Sequence, residues 1–285
     1  MDTERISSFT RDGLVFDVHD AGPLDGTTVV LLHGFPQDSR SWEAVSTLLH
    51  ARGYRTIAPD QRGYSPGARP RPRRAYRPSE LTLDIVALIQ TVGQGPVHLV
   101  GHDWGAAVAW GVAARRPDLL RSVTAVSVPH PAAFLGAVFT SSQARRSRYM
   151  LFFQLPRLPE RRLTSGKPWE AFLRSAGMSP EAAVRDADLM RDPRTARSAL
   201  NWYRAMLLSR PGAITAKVSV PTLYVWSDRD AALGPKGPAL TPGFVTGPYT
   251  FAVLSGVSHW IPEEAPEELD ALLARHFDSV RPEAG

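Results

Sequence analysis

The sequence predicts an α/β fold in which a mostly parallel, doubly wound sheet carries an inserted helical lid. Over the first half of the chain, short apolar runs typical of buried strands alternate with amphipathic helical patterns. The alternation stops after Pro129 and resumes at Pro221, and the segment between them has helical patterns throughout. We therefore predict a core of residues 1–130 and 212–285, and a helical cap of residues 131–211 inserted after the sixth strand.

The elements of the core follow from local patterns. The turn Arg11-Asp12-Gly13 before Leu14 predicts an antiparallel hairpin at one edge of the sheet. Further strands are predicted at 28–34, 55–60, 97–100, 122–128, 221–228 and 250–256, and helices at 42–52, at 79–92, after residue 103 and at 266–277. Because open α/β sheets bind ligands at the carboxyl ends of their strands, we expect the cap to cover that edge.

Composition limits the classes of protein to consider. The chain has 285 residues, of which 43% are apolar and 21% charged, which suits one substantial core. It has no cysteine, and therefore neither a disulfide nor a thiol nucleophile. No apolar run has the length of a membrane span, and the first residues lack the apolar segment of a signal peptide. These features predict a cytoplasmic protein.

Charge gives little indication of a macromolecular partner. The formal net charge is +5, and the basic residues are scattered along the chain. The one dense basic run, Arg69 to Pro78, has the composition to contact phosphate or an acidic partner, but we interpret it as a solvated surface loop. We therefore predict no nucleic-acid partner, and the sequence does not define an oligomeric state.

The stretch Gly101-His102-Asp103-Trp104-Gly105 has the spacing of a nucleophile elbow, with a strand before it and a helix after it. In such an elbow, small residues on both sides of the central one permit a sharp turn at the head of a helix, whose N-terminus favours an anion. An aspartate before a helix is also a common N-cap, so the spacing alone leaves both interpretations open.

Three other segments suit the elbow. His33-Gly34-Phe35-Pro36 follows the third predicted strand, where the backbone N–H groups of Phe35 and Trp104 would form an oxyanion hole. Asp230 follows the seventh strand and His259 the last, in the chain order nucleophile, acid, histidine. Asp228, two residues before Asp230, is the alternative acid.

Four other histidines of the chain, His33, His98, His102 and His130, are interpreted as structural. The sequence has no set of His, Asp and Glu residues with the spacing of metal ligands, so neither a metal nor a cofactor is predicted.

Together, the segments HGFP, GHDWG and SHW resemble the α/β-hydrolase superfamily over nearly the whole chain. An aspartate in the elbow is similar to the epoxide hydrolases and haloalkane dehalogenases of that superfamily. A carboxylate is ionised at neutral pH and needs no base in order to attack. Its attack on a saturated carbon gives a stable alkyl ester. His259, oriented by Asp230, would then activate the water that hydrolyses this ester.

The leaving group separates the two enzyme classes. Opening an epoxide produces an alkoxide, which needs a proton donor, whereas a halide needs only N–H donors around it. Tyr149 and Tyr203 stand in sequence contexts similar to those of the two ring-opening tyrosines of soluble epoxide hydrolases. Haloalkane dehalogenases often have Asn after His-Gly, where this chain has Phe35.

The resemblance thus implies an epoxide hydrolase that converts a small hydrophobic epoxide and water into a vicinal diol. We predict a substrate pocket lined by Phe35, Trp104, Phe152 and Phe153, with Trp169 as a further candidate. Two alternatives stay open at this point. One is a haloalkane dehalogenase, and the other is a catalytically inactive hydrolase fold that binds a small ligand.

Overall fold

The computed structural model describes residues 4–208 and 216–281, and these form one eight-stranded sheet with helices on both faces. The strand order across the sheet is β1-β2-β4-β3-β5-β6-β7-β8. The strands are β1 Ser8–Arg11, β2 Leu14–Ala21, β3 Thr28–Leu32, β4 Arg55–Pro59, β5 Val97–His102, β6 Leu120–Val126, β7 Thr222–Ser227 and β8 Tyr249–Leu254. Each predicted strand of the core is present.

The first two strands form the predicted hairpin at the edge of the sheet. Strand β1 pairs with β2 in antiparallel register, and β2 continues antiparallel to β4. The six strands from β3 to β8 are parallel to one another. This mostly parallel, doubly wound arrangement is the predicted fold class. Parallel strands end at the same edge of the sheet, so the loops after β3, β5, β7 and β8 meet there.

Helices cover both faces of the sheet and extend above its carboxyl edge. The helices are α1 Glu43–Ala51, α2 Pro78–Val92, α3 Trp104–Arg115, α4 Pro131–Thr140, α5 Gln143–Arg146, α6 Arg148–Phe152, α7 Leu158–Leu163, α8 Lys167–Ser175, α9 Pro180–Leu189, α10 Pro193–Met206, α11 Lys236–Leu240, α12 Ile261–Glu264 and α13 Pro266–Asp278. The helices predicted at 42–52, 79–92 and 266–277 correspond to α1, α2 and α13, each within one residue.

The core consists of two apolar layers, one on each face of the sheet. Alternate residues of β3 divide between them: Val30 and Leu32 pack with α2 and α3, while Val29 and Leu31 pack with α1 and α13. A parallel strand covered on both faces is apolar along most of its length. All five residues of β3 are buried, and the four from Val29 to Leu32 are apolar. This explains why these strands appear in the sequence as continuous apolar runs.

The segment between β6 and β7 is helical in the described residues, with α4 to α10 in succession. Hydrogen bonds attach this segment to the core: the Tyr76 hydroxyl donates to Ser198 Oγ at 2.9 Å, and Trp202 Nε1 donates to the carbonyl of Arg62 at 2.8 Å. The division into core and cap at residues 130 and 131 remains our proposal. Its other predicted boundary, between residues 211 and 212, lies outside the described residues.

Within residues 4–208 and 216–281, no helix combines the length and the apolarity needed to cross a bilayer.

The turn between β5 and α3 depends on an approach so close that only glycine fits. A Cβ atom at Gly105 would lie 2.1 Å from the carbonyl oxygen of Leu32 in the neighbouring strand. We predict that Gly105→Ala lowers the free energy of unfolding by about 1–3 kcal/mol, because β3 and α3 must move apart. Urea denaturation measures the loss. The matched control is Gly243→Ala, where a Cβ atom meets nothing within 4 Å. Equal stability of the two variants would contradict the prediction.

Candidate active site

Asp103 occupies a strained turn between β5 and α3. Its backbone has φ 51° and ψ −119°, a conformation that residues other than glycine rarely adopt. The turn leaves the carboxylate at the head of α3, beside the loop that follows β3. A Cβ atom at Gly34 of that loop would lie 2.6 Å from Asp103 Oδ1, so glycine is required for the carboxylate to fit.

The two oxygens of the Asp103 carboxylate have different partners. The backbone N–H of Phe35 donates to Oδ1 at 2.8 Å, and Oδ2 lies 3.4 Å from His259 Nε2. Burial disfavours the carboxylate, but the hydrogen bond and charge of His259 outweigh it, so the pKa of Asp103 lies below its usual range. Asp103 is therefore ionised at neutral pH. Trp104 is the first residue of α3 and follows Asp103 directly.

His259 is held between two carboxylates. Its Nδ1 donates to Asp230 Oδ2 at 2.7 Å, and its other ring nitrogen faces Asp103. Burial alone would lower the pKa of His259, but the charges of Asp230 and Asp103 and their hydrogen bonds raise it to about 10. The imidazole is thus protonated at neutral pH.

The structure brings Asp230, and not Asp228, to His259. Asp230 is buried, and the N–H groups of Ala232 and Leu233 each donate to its Oδ1 at 2.8 Å, which leaves Oδ2 free for His259. Asp228 instead accepts hydrogen bonds from Ser255 and from the backbone N–H of Gly256, at the exposed turn after β8.

Two residues that the sequence analysis did not assign to the site support the loop of His259. His102 Nε2 lies 2.8 Å from the carbonyl oxygen of His259, and Ser127 Oγ donates to the same oxygen at 3.1 Å. Since a carbonyl only accepts, Nε2 of His102 carries the proton. His102 thus has the structural role that we predicted for it, but the role serves the candidate site. In the sequence, the position of His102 within the elbow could have indicated a role at the site. Nothing in the sequence indicated such a role for Ser127.

Tyr149 and Tyr203 lie together in the cap, facing the elbow. Their rings are 6.0 Å apart, and the ring of Tyr203 lies 5.0 Å from Trp104 and 5.3 Å from Phe35 in edge-to-face contacts. Burial and nearby negative charge, including that of Asp103, raise the pKa of both phenols above the usual range. Both hydroxyls are therefore protonated donors at neutral pH.

A cavity of about 700 Å³ lies between the elbow and the helices of the cap. Its floor is one face of α3, and its lining also includes the first turn of α2 and parts of α4, α6 and α10. The lining is mainly apolar, with Asp103 and two phenols at one end. It consists of residues 77–82, Asp103, Trp104, Ala107, Val108, Gly111, Arg115, Val128, Pro131, Phe134, Leu135, Tyr149, Met150, Tyr203, Met206, Leu208 and Leu233. Four predicted residues, Asp103, Trp104, Tyr149 and Tyr203, thus share one cavity.

The other predicted pocket residues are not among those that line this cavity. Phe152 is 36% exposed at the end of the short helix α6, and its side chain faces outward. Phe35 and Phe153 are buried against the ring of Tyr203, at 5.3 and 4.9 Å, so they support the cavity wall from behind. Trp169 is buried within the cap and stacks on Phe172. The apolar character of a residue in the sequence does not indicate which side of the cavity wall its side chain occupies.

The part of the chain that the structure describes contains no group of three or more His, Asp or Glu side chains arranged to hold a metal ion.

Comparison with known proteins identifies the family. The family model described as the alpha/beta hydrolase fold matches residues 27–266. A curated relative, the AB hydrolase superfamily protein YfhM of Bacillus subtilis, is 32% identical over 97% of this chain and 99% of its own length. Epoxide hydrolase A of Mycobacterium tuberculosis is also 32% identical, over 95% of this chain and 96% of its own.

Solved structures agree with the sequence relatives. An epoxide hydrolase from metagenomes of hot environments superposes with a TM-score of 0.83 at 29% identity, covering 97% of this chain and 99% of that one. Epoxide hydrolase A of Mycobacterium thermoresistibile gives a TM-score of 0.79 at 26% identity, covering 94% and 96%. The chain therefore belongs to the α/β-hydrolase family, and its relatives include epoxide hydrolases.

Proposed function

We propose that the protein is an epoxide hydrolase that converts an apolar epoxide to a vicinal diol through an ester on Asp103. The observation that carries the proposal is the placement of one ionised carboxylate and two protonated phenols around the same apolar cavity. The carboxylate supplies a nucleophile and the phenols supply the protons that a departing alkoxide needs. The relatives named as epoxide hydrolases support the same activity.

Asp103 is the proposed nucleophile. Its Oδ1 accepts the short hydrogen bond from the Phe35 N–H, so Oδ2, which has only the longer 3.4 Å contact with His259 Nε2, is the oxygen that attacks. The attack forms a bond between Oδ2 and an epoxide carbon while the bond from that carbon to the epoxide oxygen breaks. The product is an alkyl ester, which water can hydrolyse. A serine nucleophile would need a base to take its proton and would form a stable ether in this step.

Tyr149 and Tyr203 are the proposed proton donors for ring opening. Both hydroxyls would hydrogen-bond the epoxide oxygen, and one would transfer its proton as negative charge develops there. A raised phenol pKa keeps the proton on the tyrosine until a strongly basic alkoxide forms. The contacts of Tyr203 with Trp104 and Phe35 hold its ring close to the elbow.

His259 is the proposed base for hydrolysis of the ester. In the free enzyme it is protonated, because two carboxylates surround it. Once Asp103 becomes an ester, one of these negative charges is gone, so the pKa of His259 must fall. The imidazolium then loses its proton, and the tyrosinate left by ring opening regains one. The neutral imidazole takes a proton from water as that water attacks the ester carbonyl. The N–H groups of Phe35 and Trp104 would stabilise the resulting oxyanion, and expulsion of the diol restores the Asp103 carboxylate.

The shape of the cavity suits an epoxide with an extended apolar substituent. The cavity follows α3 from Trp104 to Arg115, a rise of about 16 Å at ~1.5 Å per residue. Reaction would occur at the Asp103 end, and the substituent would lie over the face formed by Ala107, Val108 and Gly111. We therefore propose a hydrophobic epoxide and water as the substrates.

Replacing His259 with Gln should trap the ester. The variant keeps the nucleophile and the phenols but has no base for hydrolysis, so Asp103 should be alkylated once and stay so. Intact-protein mass spectrometry after incubation with an apolar epoxide should show the mass of the whole epoxide added. If only haloalkanes give an adduct, of the haloalkane without its halogen, the protein is a dehalogenase. If neither reagent gives an adduct, Asp103 is not a nucleophile.

Removing the phenols should slow ring opening but not ester hydrolysis. We expect Tyr149→Phe and Tyr203→Phe each to lower the alkylation rate, and the double variant to lower it by about a hundredfold or more. Rapid-quench kinetics measures alkylation and hydrolysis separately. Phe152→Leu, at the exposed end of α6, is the control and should leave both rates unchanged. A double variant with the wild-type alkylation rate would exclude the tyrosines as donors.

The pKa of His259 should depend on the charge of Asp103. In Asp103→Asn one carboxylate is neutralised, as it is in the ester, so the imidazolium loses a stabilising neighbour and its pKa should fall from about 10. NMR titration of the His259 ring measures this shift. The control is Asp228→Asn, whose side chain contacts Ser255 and Gly256 instead of His259. Equal His259 pKa values in Asp103→Asn and wild type would contradict the proposed coupling.

A further inference from the structure

The short cap helix α5 contacts the loop that carries Asp230. Gln143, the first residue of α5, is 3% exposed, and its side chain makes three hydrogen bonds. Its Nε2 donates to the carbonyl of Ala232 at 2.8 Å and to Ser147 Oγ at 2.9 Å. Its Oε1 accepts from the backbone N–H of Gly234 at 2.8 Å. One buried amide therefore fixes both a carbonyl and an N–H of the same loop.

Arg146, at the other end of α5, contacts the first residues of the same loop. Its Nη1 donates to the carbonyl of Asp230 at 2.9 Å and to that of Ala231 at 3.2 Å. A Cβ atom at Gly234 would lie 3.3 Å from Arg146 Nε, so the loop packs directly against α5. Gln143 and Arg146 together bind four backbone groups between residues 230 and 234.

The conformation of this loop determines where the Asp230 carboxylate points. The N–H groups of Ala232 and Leu233 hold Oδ1, and this leaves Oδ2 directed at His259 Nδ1, 2.7 Å away. Gln143 binds the carbonyl of Ala232, the residue whose N–H holds Oδ1. A change at Gln143 would therefore reach His259 through the backbone of Ala232 and the carboxylate of Asp230.

The same contacts connect the segment of the cap that carries Tyr149 with the loop that carries Asp230. Ser147, the partner of Gln143 within the cap, stands two residues before Tyr149. Leu233, in the loop, lines the cavity. Gln143 itself is not among the described residues that line the cavity, so a substrate that occupied this cavity would not touch it.

We propose that Gln143, supported by Arg146, is a positioning residue for ester hydrolysis, because it holds the loop in which Asp230 orients His259. This inference rests on the proposed function for its kinetic consequence. Without the amide, two buried backbone groups lose their partners and the loop relaxes, so the hydrogen bond between Asp230 and His259 weakens. Alkylation uses Asp103 and the phenols, and it should continue at nearly its normal rate.

The test compares two glutamines of the cap. Gln143→Met keeps the side-chain volume and removes the hydrogen bonds. Gln154→Met is the matched control, since Gln154 Nε2 bonds the carbonyls of Met150 and Tyr203 and, among the described residues, none in the loop of Asp230. In Gln143→Met we expect ester hydrolysis to slow by about tenfold or more, with alkylation changed by less than about twofold, so that ester accumulates. The far-downfield proton NMR signal of His259 Nδ1–H should shift or broaden. Gln154→Met should leave hydrolysis and this signal as in wild type.

A folded Gln143→Met variant with wild-type hydrolysis and an unchanged Nδ1–H signal would overturn the proposal. If that variant does not fold, Arg146→Ala, at an exposed position, carries the test: a change in the same two measurements supports the proposal, and no change overturns it. The NMR signal does not depend on turnover. A wild-type protein without epoxide turnover would therefore refute the proposed function, while the signal in the two glutamine variants would still decide the role of Gln143.

Discussion

The site depends on a single constraint: a carboxylate must stay ionised at the base of an apolar cavity. Burial opposes this charge at Asp103, and the N–H of Phe35 together with protonated His259 outweighs the cost. The strained backbone at Asp103, its close approach to Gly34 and the loop after β8 all serve to bring these groups together. A neutral side chain in place of protonated His259 would compensate the buried charge less, so the pKa of Asp103 would rise.

The same constraint separates the two proposed chemical steps. In the proposed reaction, the charges of Asp230 and Asp103 keep His259 protonated until the ester forms, and the loss of the Asp103 charge lowers the pKa of the imidazole so that it can act as a base. In our proposal the cap contributes to both steps, through Tyr149 and Tyr203 in the cavity of Asp103 and through Gln143, which binds the loop of Asp230. We therefore regard the cap as part of the proposed catalytic apparatus as well as a cover for the substrate.

Most of the fold could be predicted because parallel strands that are buried on both faces appear in the sequence as apolar runs, as in β3. The fixed spacing of the elbow then located the turn between β5 and α3. The sequence favoured Asp230 but kept Asp228 as the alternative, since the choice depends on which N–H groups hold each carboxylate. It could not indicate that Phe152 faces outward or that Gln143 binds a loop some ninety residues later. Such contacts depend on how the cap packs against the core, which no local pattern encodes.

The most direct test of the account is a single turnover in ¹⁸O-labelled water, with enzyme in excess over an apolar epoxide. If water attacks the carbonyl of an Asp103 ester, the oxygen delivered to the diol comes from the carboxylate. The account predicts an unlabelled diol in the first turnover and one ¹⁸O atom in the peptide that contains Asp103. A labelled diol with unlabelled Asp103 would mean that water opens the epoxide directly, and it would contradict the central claim.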